Sequence, residues 1–390
     1  MTKKIFIYLA CLSAVFLLIP RQARSFSGAP SRPISCPVRV AVIINAPQID
    51  LKIRGDYSIL ALPLLEPLKK GRGLKNMTVK PTRSGVSMGQ EHFKIYGIKI
   101  RAERAADISV NGRRFRGEMD IIRTESIKLT VVNHLDIEDY LNGVLYHEVS
   151  HWWPMEALKA QAIASRTFAL YKCSESGSGD YDLRSDIYAQ VYGGKTSEKF
   201  RTNRAVRATA GKVLIYKGKI LPAYFHATCG GHTENASSLW KTDIAPLRGR
   251  PCSYCEGSPH YNWVKGVPLD MIEKNLKIAG YRIKGIKDIK VLSRNSSGRA
   301  DIVGVTDSLG LEKITANKFR LAVGPNLIRS ANFTVNIKGG MAVFIGRGWG
   351  HGVGMCQWGA CYLAAQGVKA EDILKFYYPS ADIADYDEAL

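Results

Sequence analysis

Asp136-Ile137-Glu138-Asp139-Tyr140-Leu141-Asn142-Gly143-Val144-Leu145-Tyr146-His147-Glu148 is where this chain changes character. Upstream, short apolar runs are broken by Asn, Pro and Gly; here Tyr140, Leu141, Val144 and Leu145 recur at helical spacing. Asp136 stands where an N-cap is needed, and Glu138 and Asp139 put negative charge at the positive end of the helix dipole. The spacing predicts a helix that closes near Glu148. After Val149-Ser150-His151-Trp152-Trp153, Pro154 opens a second helix, with Glu156 in its first turn and its end near Lys172. Ala157, Ala160, Ala162, Ala164 and Ala169 keep that helix slim, as close packing requires.

Toward the N-terminus the chain is β-like. Residues 38–45, 50–53 and 57–61 read as short strands, and residues 66–90, basic and Gly-rich, as a loop or hairpin. Further strands are expected over 93–102, 108–110, up to 121 and over 127–132, with Asn111-Gly112 as a hairpin turn. Toward the C-terminus, a polar loop at 174–186 precedes a helix at 201–210, a hairpin over 213–225 and a cysteine-bearing loop at 226–262. Strands at 288–306, 318–323 and 333–337 lead to a Gly-rich stretch at 346–359 and to helices near 359–367 and 370–377. The fold class is α+β, a mixed and largely antiparallel β framework with a few inserted helices.

Lys3 and Lys4, an apolar run over 5–19 and Ala23-Arg24-Ser25 have the layout of a secretory signal peptide. An uncleaved membrane anchor is the alternative, although the run is short for a span. The organisation is then a signal peptide at 1–25, a flexible Ser/Pro-rich linker at 26–37, a β-rich part at 38–135 and a core at 136–390. A net charge of +21, from 55 Lys and Arg against 34 Asp and Glu, favours a polyanionic partner. Export to the periplasm or cell envelope removes nucleic acid from the candidates and limits membrane contact to the leader. Loss of Cys11 with the leader leaves seven of the eight cysteines, an odd number that cannot all pair within one chain.

Four places carry the residue types of a site. Glu148 sits at a helix end among aromatic residues, where desolvation raises a carboxyl pKa toward the value a general acid needs. Trp152 and Trp153 offer flat faces for sugar rings; His147 and His151 bracket the glutamate, but Pro154 opposes a shared metal. Lys159 and Arg166 lie seven residues apart, on nearly one helix face, with Gln161 and Thr167 adding polar groups. The stretch Gly346-Arg347-Gly348-Trp349-Gly350-His351-Gly352-Val353-Gly354-Met355-Cys356-Gln357-Trp358-Gly359 threads an aromatic, a histidine and a glutamine between glycines, as a binding loop would. Finally, His226-x-x-Cys229 and Cys252-x-x-Cys255 suit a structural Cys3His zinc site, with a disulfide among these cysteines as the competing reading.

Taken in order, these segments resemble the SpoIID family (stage II sporulation protein D and its LytB relatives) of exported peptidoglycan-remodelling proteins. The likeness rests on residues 135–144, on Trp153-Pro154-Met155-Glu156-Ala157 with Arg166-Thr167-Phe168, on Gln190-Val191-Tyr192-Gly193-Gly194 and on the loop at 348–355. It implies a lytic transglycosylase that cuts MurNAc–GlcNAc bonds, preferably on strands stripped of stem peptides. Glu148 would be its single general acid and base. Lys159, Gln161, Arg166, Gln190, Tyr192, His351 and Gln357 would line the groove, one helix forming its wall. In relatives with similar Cys/His loops zinc has a structural place, which supports zinc here at His226, Cys229, Cys252 and Cys255. The chain departs from the common Glu-Met-Pro pattern after Glu148, and Cys356 and Trp358 stand where small polar and Tyr residues are common. The LytB branch implies the alternative, a non-catalytic glycan scaffold or an enhancer of a separate amidase. A zinc hydrolase acting on wall peptides is a third class.

Overall fold

The computed structural model describes residues 36–103, 107–186 and 190–388. The signal peptide read at 1–25 and nearly all of the linker read at 26–37 lie outside the described residues. Among those described, eleven strands join in one sheet: β1 Pro37–Ala46, β2 Ile49–Leu62, β3 Glu66–Thr82, β4 Gly85–Met88, β5 Glu91–Phe93, β6 Gly97–Ala102, β7 Asp107–Val110, β8 Arg113–Phe115, β9 Glu118–Arg123, β10 Leu129–Asp136 and β11 Leu183–Arg184. Their order is β11-β1-β10-β9-β6-β2-β3-β4-β5, with β7 on β2 and β8 on β7. Neighbours run antiparallel except β1 and β11. Residues 66–90, expected as a loop or hairpin, do form a hairpin where Val79–Thr82 pairs with Gly85–Met88, but its first strand β3 is far longer than that pairing. Exposure hid it: the part before Thr78 buries no side chain fully, so the apolar alternation of a half-buried strand is missing.

The predicted switch at Asp136 is present. Its Oδ1 accepts from the backbone N–H of Glu138 at 2.8 Å, capping α1, Ile137–Glu148. Val149 returns to extended backbone (φ −142°), which leaves Glu148 as the last helical residue. α2, Met155–Glu175, is the centre of the molecule, and nearly every side chain from Ala157 to Leu170 is buried. Leu158, Ala162, Ala169 and Leu170 face the core under the sheet, with Val38, Ile59 and Val131. Ala157, Ala160, Ile163 and Ala164 face a second core. The alanines thus let one helix pack on both sides. α3, Phe200–Ala208, lies beside it.

A third core is built by residues 262–347. Asn262–Pro268, Met341–Arg347 and Phe333–Lys338 form one antiparallel sheet; Asp288–Arg294, Ala300–Thr306 and Leu311–Thr315 form another. Helices α4, Leu269–Ile278, and α5, Ala316–Val323, complete it. The strand read at 318–323 is therefore a helix. Ala316, Phe319, Arg320 and Val323 are its buried residues, a 3.6-residue period in a segment too short to display it clearly. The helices expected near the C-terminus are α6, Gln357–Ala365, and α7, Ala370–Tyr377.

Candidate active site

Glu148 opens into a cleft of about 400 Å³ whose walls come from distant parts of the chain. Tyr146 and His147 surround it from the last turn of α1, and Val149, Ser150 and Trp153 from the α1–α2 connection; Ala227 and His260 come from the cysteine-bearing region, and Trp349, Gln357 and Trp358 from the Gly-rich stretch. Burial is the main influence on Glu148 and pushes its pKa up to about 7, against the backbone N–H of Val191, which favours the anion. Its place at the C-terminal end of α1, where the helix dipole is negative, works in the same direction as burial. Among the described residues lining the cleft it is the one carboxylate. The Trp153 and Trp358 rings meet edge to face at 5.3 Å, and His260 stands perpendicular to Trp349 at 4.5 Å.

The Gly-rich stretch reaches the cleft because its backbone lies directly on residues 225–234. Thr228 and Trp349 exchange backbone hydrogen bonds at 3.0 and 2.8 Å, and Glu234 N–H donates to the Gly352 carbonyl at 2.8 Å. Gly348 has φ +79°, and a Cβ there would stand 2.5 Å from the Thr228 carbonyl oxygen. No larger residue fits that approach. Gln357 begins α6, and its Nε2 donates to Gln161 Oε1 at 3.3 Å; Gln161 Nε2 donates to Ser165 Oγ at 3.0 Å.

Of the seven residues expected in the groove, Gln357 alone lines the cleft. Gln161 lies buried behind it. Arg166 is fully buried and spends its guanidinium on a two-pronged bond to Glu138 (2.8 and 2.7 Å) and on the Lys212 carbonyl. Lys159 pairs with Glu156 at 2.8 Å near the start of α2. Gln190 accepts from the Tyr140 hydroxyl at 3.1 Å, and the Tyr192 hydroxyl donates to Asn133 Oδ1 at 2.8 Å; both are buried. These two flank Val191 and so hold the N–H that reaches Glu148. His351 faces a separate cavity of about 240 Å³ shared with Arg299 and Glu234. Its Nδ1 accepts from the Val353 N–H at 3.0 Å, and burial, aided by Arg320, pushes its pKa down to about 3. Sequence reasoning missed His260, which no motif marks.

The cysteine-bearing loop closes differently from the expected Cys3His set. The sulfurs of Cys229, Cys252, Cys255 and Cys356 all lie within 4.8 Å of one another, and all four residues are buried. His226 is outside the group: its Nδ1 is 3.1 Å from the Val353 carbonyl and its Nε2 is buried without a partner. Cys356 takes its place because residues 225–226 pair with 355–356, carrying the Gly-rich stretch over the loop. Cys229 Sγ and Cys255 Sγ are 3.4 Å apart, well beyond the ~2.05 Å of a disulfide bond. Backbone N–H groups of Cys229 and Gly359 point at Cys356 Sγ from 3.3 and 3.4 Å. Four sulfurs gathered at these separations, with donors behind them, are compatible with a bound metal ion.

Comparison with known proteins places this geometry. The model described as "Stage II sporulation protein" (SpoIID) matches residues 125–216, the segment with α1, Glu148 and α2, and a domain of unknown function (DUF8618) matches residues 253–354. An uncharacterized protein of Brachyspira hyodysenteriae is 35% identical over 317 residues, covering 80% of this chain and 84% of that protein. Stage II sporulation protein D of Bacillus amyloliquefaciens is 30% identical over 275 residues, 66% of this chain and 77% of that protein. The amidase enhancer of Bacillus subtilis is 28% identical over 352 residues, 76% of this chain but 48% of that protein. Sharing 30% identity over 77% of that sporulation protein, the chain belongs to the stage II sporulation protein D (SpoIID) family.

Proposed function

We propose that this protein is a peptidoglycan lytic transglycosylase that cleaves MurNAc–GlcNAc bonds, preferably on strands already stripped of stem peptides. Membership of a cell-wall-related family supports the substrate class. The observation that carries the reaction is Glu148, a lone carboxyl group in an aromatic cleft with a pKa of about 7. A hydrolase of the usual kind needs two carboxyl groups, one of them a nucleophile or the base that activates water. One suffices when the sugar supplies its own nucleophile. Protonated Glu148 gives its proton to the departing glycosidic oxygen as the C1–O bond breaks. The carboxylate left behind accepts the proton of the MurNAc 6-hydroxyl as that oxygen bonds to C1. The product is a 1,6-anhydro end, no water is consumed, and Glu148 is again protonated.

The cleft suits this sequence. Trp153, Trp349 and Trp358 line it with aromatic surface for sugar rings to pack against, and Gln357 offers an amide for hydroxyl or acetamido groups. Cys229, Cys252, Cys255 and Cys356 would hold a structural zinc, which supplies a cross-link between the Gly-rich stretch and residues 229–255. Four protein ligands leave no open coordination position, so the chemistry stays with Glu148 and a zinc hydrolase is disfavoured. Export to the envelope and an excess of positive charge fit a substrate whose lactyl groups remain carboxylates after peptide removal.

A second reading, favoured by the relative named amidase enhancer, is a glycan-binding scaffold that assists a separate amidase. Mass spectrometry of purified denuded glycan separates the two. Anhydro-MurNAc products from the wild type and none from Glu148→Gln establish the transglycosylase. No products with retained glycan pull-down establish the scaffold, and reducing ends would mean hydrolysis.

A further inference from the structure

A file of aromatic rings begins in the cleft and runs out of it. Tyr146 lines the cleft and is 37% exposed, so its ring stands on the rim. His151 packs on it with ring centres 5.5 Å apart, and Trp152 packs on His151 at 4.6 Å, the planes inclined by 49° and 39°. His151 and Trp152 are not among the residues that line the cleft. Trp152 is 75% exposed and lies outside the three cores. The backbone that carries it is nonetheless clamped. Arg201 donates from Nε to the His151 carbonyl at 2.8 Å and from a terminal nitrogen to the Trp153 carbonyl at 2.9 Å, one on each side of Trp152. The Trp153 N–H donates to the Ser150 carbonyl at 3.0 Å. An indole held in water on a fixed backbone leaves flat apolar surface for a ligand to cover. The free charge beside the rings is positive. Lys199 Nζ sits 4.9 Å from the centre of the Tyr146 ring, while Glu198 is taken by Arg116 at 2.6 and 2.8 Å and Glu156 by Lys159 at 2.8 Å. Phe200, at the start of α3, adds a second exposed aromatic next to Lys199.

We propose that Tyr146, His151 and Trp152 form an outer subsite that binds the sugar rings of a glycan strand where it leaves the cleft. The inference rests on glycan being the substrate. A cleft of about 400 Å³ is of the size that encloses a drug-sized molecule. A glycan strand is a polymer and must continue over the rim. At Tyr146 the rim is continuous with the file of rings, whose spacing is close to that of successive sugars in a β-linked strand. Sugar rings lay their C–H faces on these planes, and Lys199 meets lactyl carboxylates exposed by peptide removal. A single file of rings flanked by a cation suits such a strand better than it suits a protein, which seeks a broad apolar patch. The subsite selects long strands over short fragments and takes no part in bond breaking.

The test reads binding apart from cleavage. The full chain carrying Glu148→Gln, with and without Trp152→Ala, is titrated calorimetrically with long denuded strands and with the tetrasaccharide cut from them. Trp152→Ala should weaken binding of long strands by about tenfold and leave the tetrasaccharide nearly unaffected. Trp152→Phe should restore most of the loss, because a flat ring returns. Equal affinity of the two chains for long strands overturns the proposal. An equal loss at both lengths also overturns it, by placing Trp152 inside the cleft. So does self-association, or capture of an envelope protein, that needs Trp152 when glycan affinity does not. Wild type that binds long strands through Trp152 but leaves no anhydro ends upholds the subsite and overturns the transglycosylase. Wild type that cuts strands, with Trp152→Ala binding them normally, does the reverse, and a chain that binds no glycan overturns both.

Discussion

Gln357 Nε2 donates to Gln161 Oε1 at 3.3 Å, a bond that crosses 196 residues of sequence and fixes the first residue of α6 to the centre of α2. It sets one wall of the cleft against the helix pair that carries Glu148. Gln161 is buried. Substitution of Gln161 by Ala leaves Gln357 without its partner, and we expect roughly 1–2 kcal/mol of lost stability. Turnover of denuded glycan should fall about tenfold through misplacement of Gln357, with thermal unfolding and steady-state rates as the readouts.

Glu148 ties activity and stability to pH in opposite ways to an ordinary surface glutamate. Burial lifts its pKa from 4.5 to about 7, so the folded chain holds a proton that the unfolded chain releases across that window. Stability contributed by the protonated form is complete below pH 4.5 and is lost as pH rises through 7. Glu148→Gln should therefore stabilise the protein at pH 8 by up to about 3 kcal/mol and have no effect near pH 4. Cleavage should decline above pH 7 as the acid deprotonates. A glycan cleavage rate that stays flat to pH 9 would argue against Glu148 as the acid.

Arg166 separates structural from substrate-binding roles. With its guanidinium sealed between Glu138 and backbone carbonyls, Arg166→Ala leaves a carboxylate without its countercharge and should cost about 3 kcal/mol or more. Glycan affinity of the folded fraction should stay unchanged at a temperature well below unfolding. A selective loss of affinity with normal melting would return Arg166 to the groove.

The four-cysteine cluster predicts about one equivalent of zinc in protein purified under reducing conditions. Cys356→Ala should abolish it, and His226→Ala should leave it intact. Chelation should lower the melting temperature and loosen the Gly-rich stretch, visible as faster proteolysis near residues 346–356. Metal-free protein with a mapped disulfide among Cys229, Cys252 and Cys255 would end the zinc reading.

Local chemistry made the start of this molecule readable. Asp136 caps α1, the apolar face of α1 is buried as its spacing demands, and the alanines of α2 lie where two cores press on it. Glu148 stood out because a carboxyl group among Trp, Val and His is unusual in itself. The buried helix α5 reads as a strand, and the first part of the exposed strand β3 goes unmarked, for one reason. In each, the pattern of apolar residues is weak, too short in α5 and stripped of buried positions in β3.

What the sequence alone determined is the α+β class, the α1–α2 pair and the acid at its hinge, since each is written in neighbours a few residues apart. Which polar residues face the cleft was decided by tertiary structure. Lys159 and Arg166 share a helix face, yet Lys159 stays near the surface while Arg166 is sealed under α3 and the 212 backbone. Likewise His226 carries the right donor for zinc, but pairing with residues 355–356 brings the sulfur of Cys356 to the cluster instead. A helical period fixes the direction of a side chain; burial and partners depend on which distant segment arrives there.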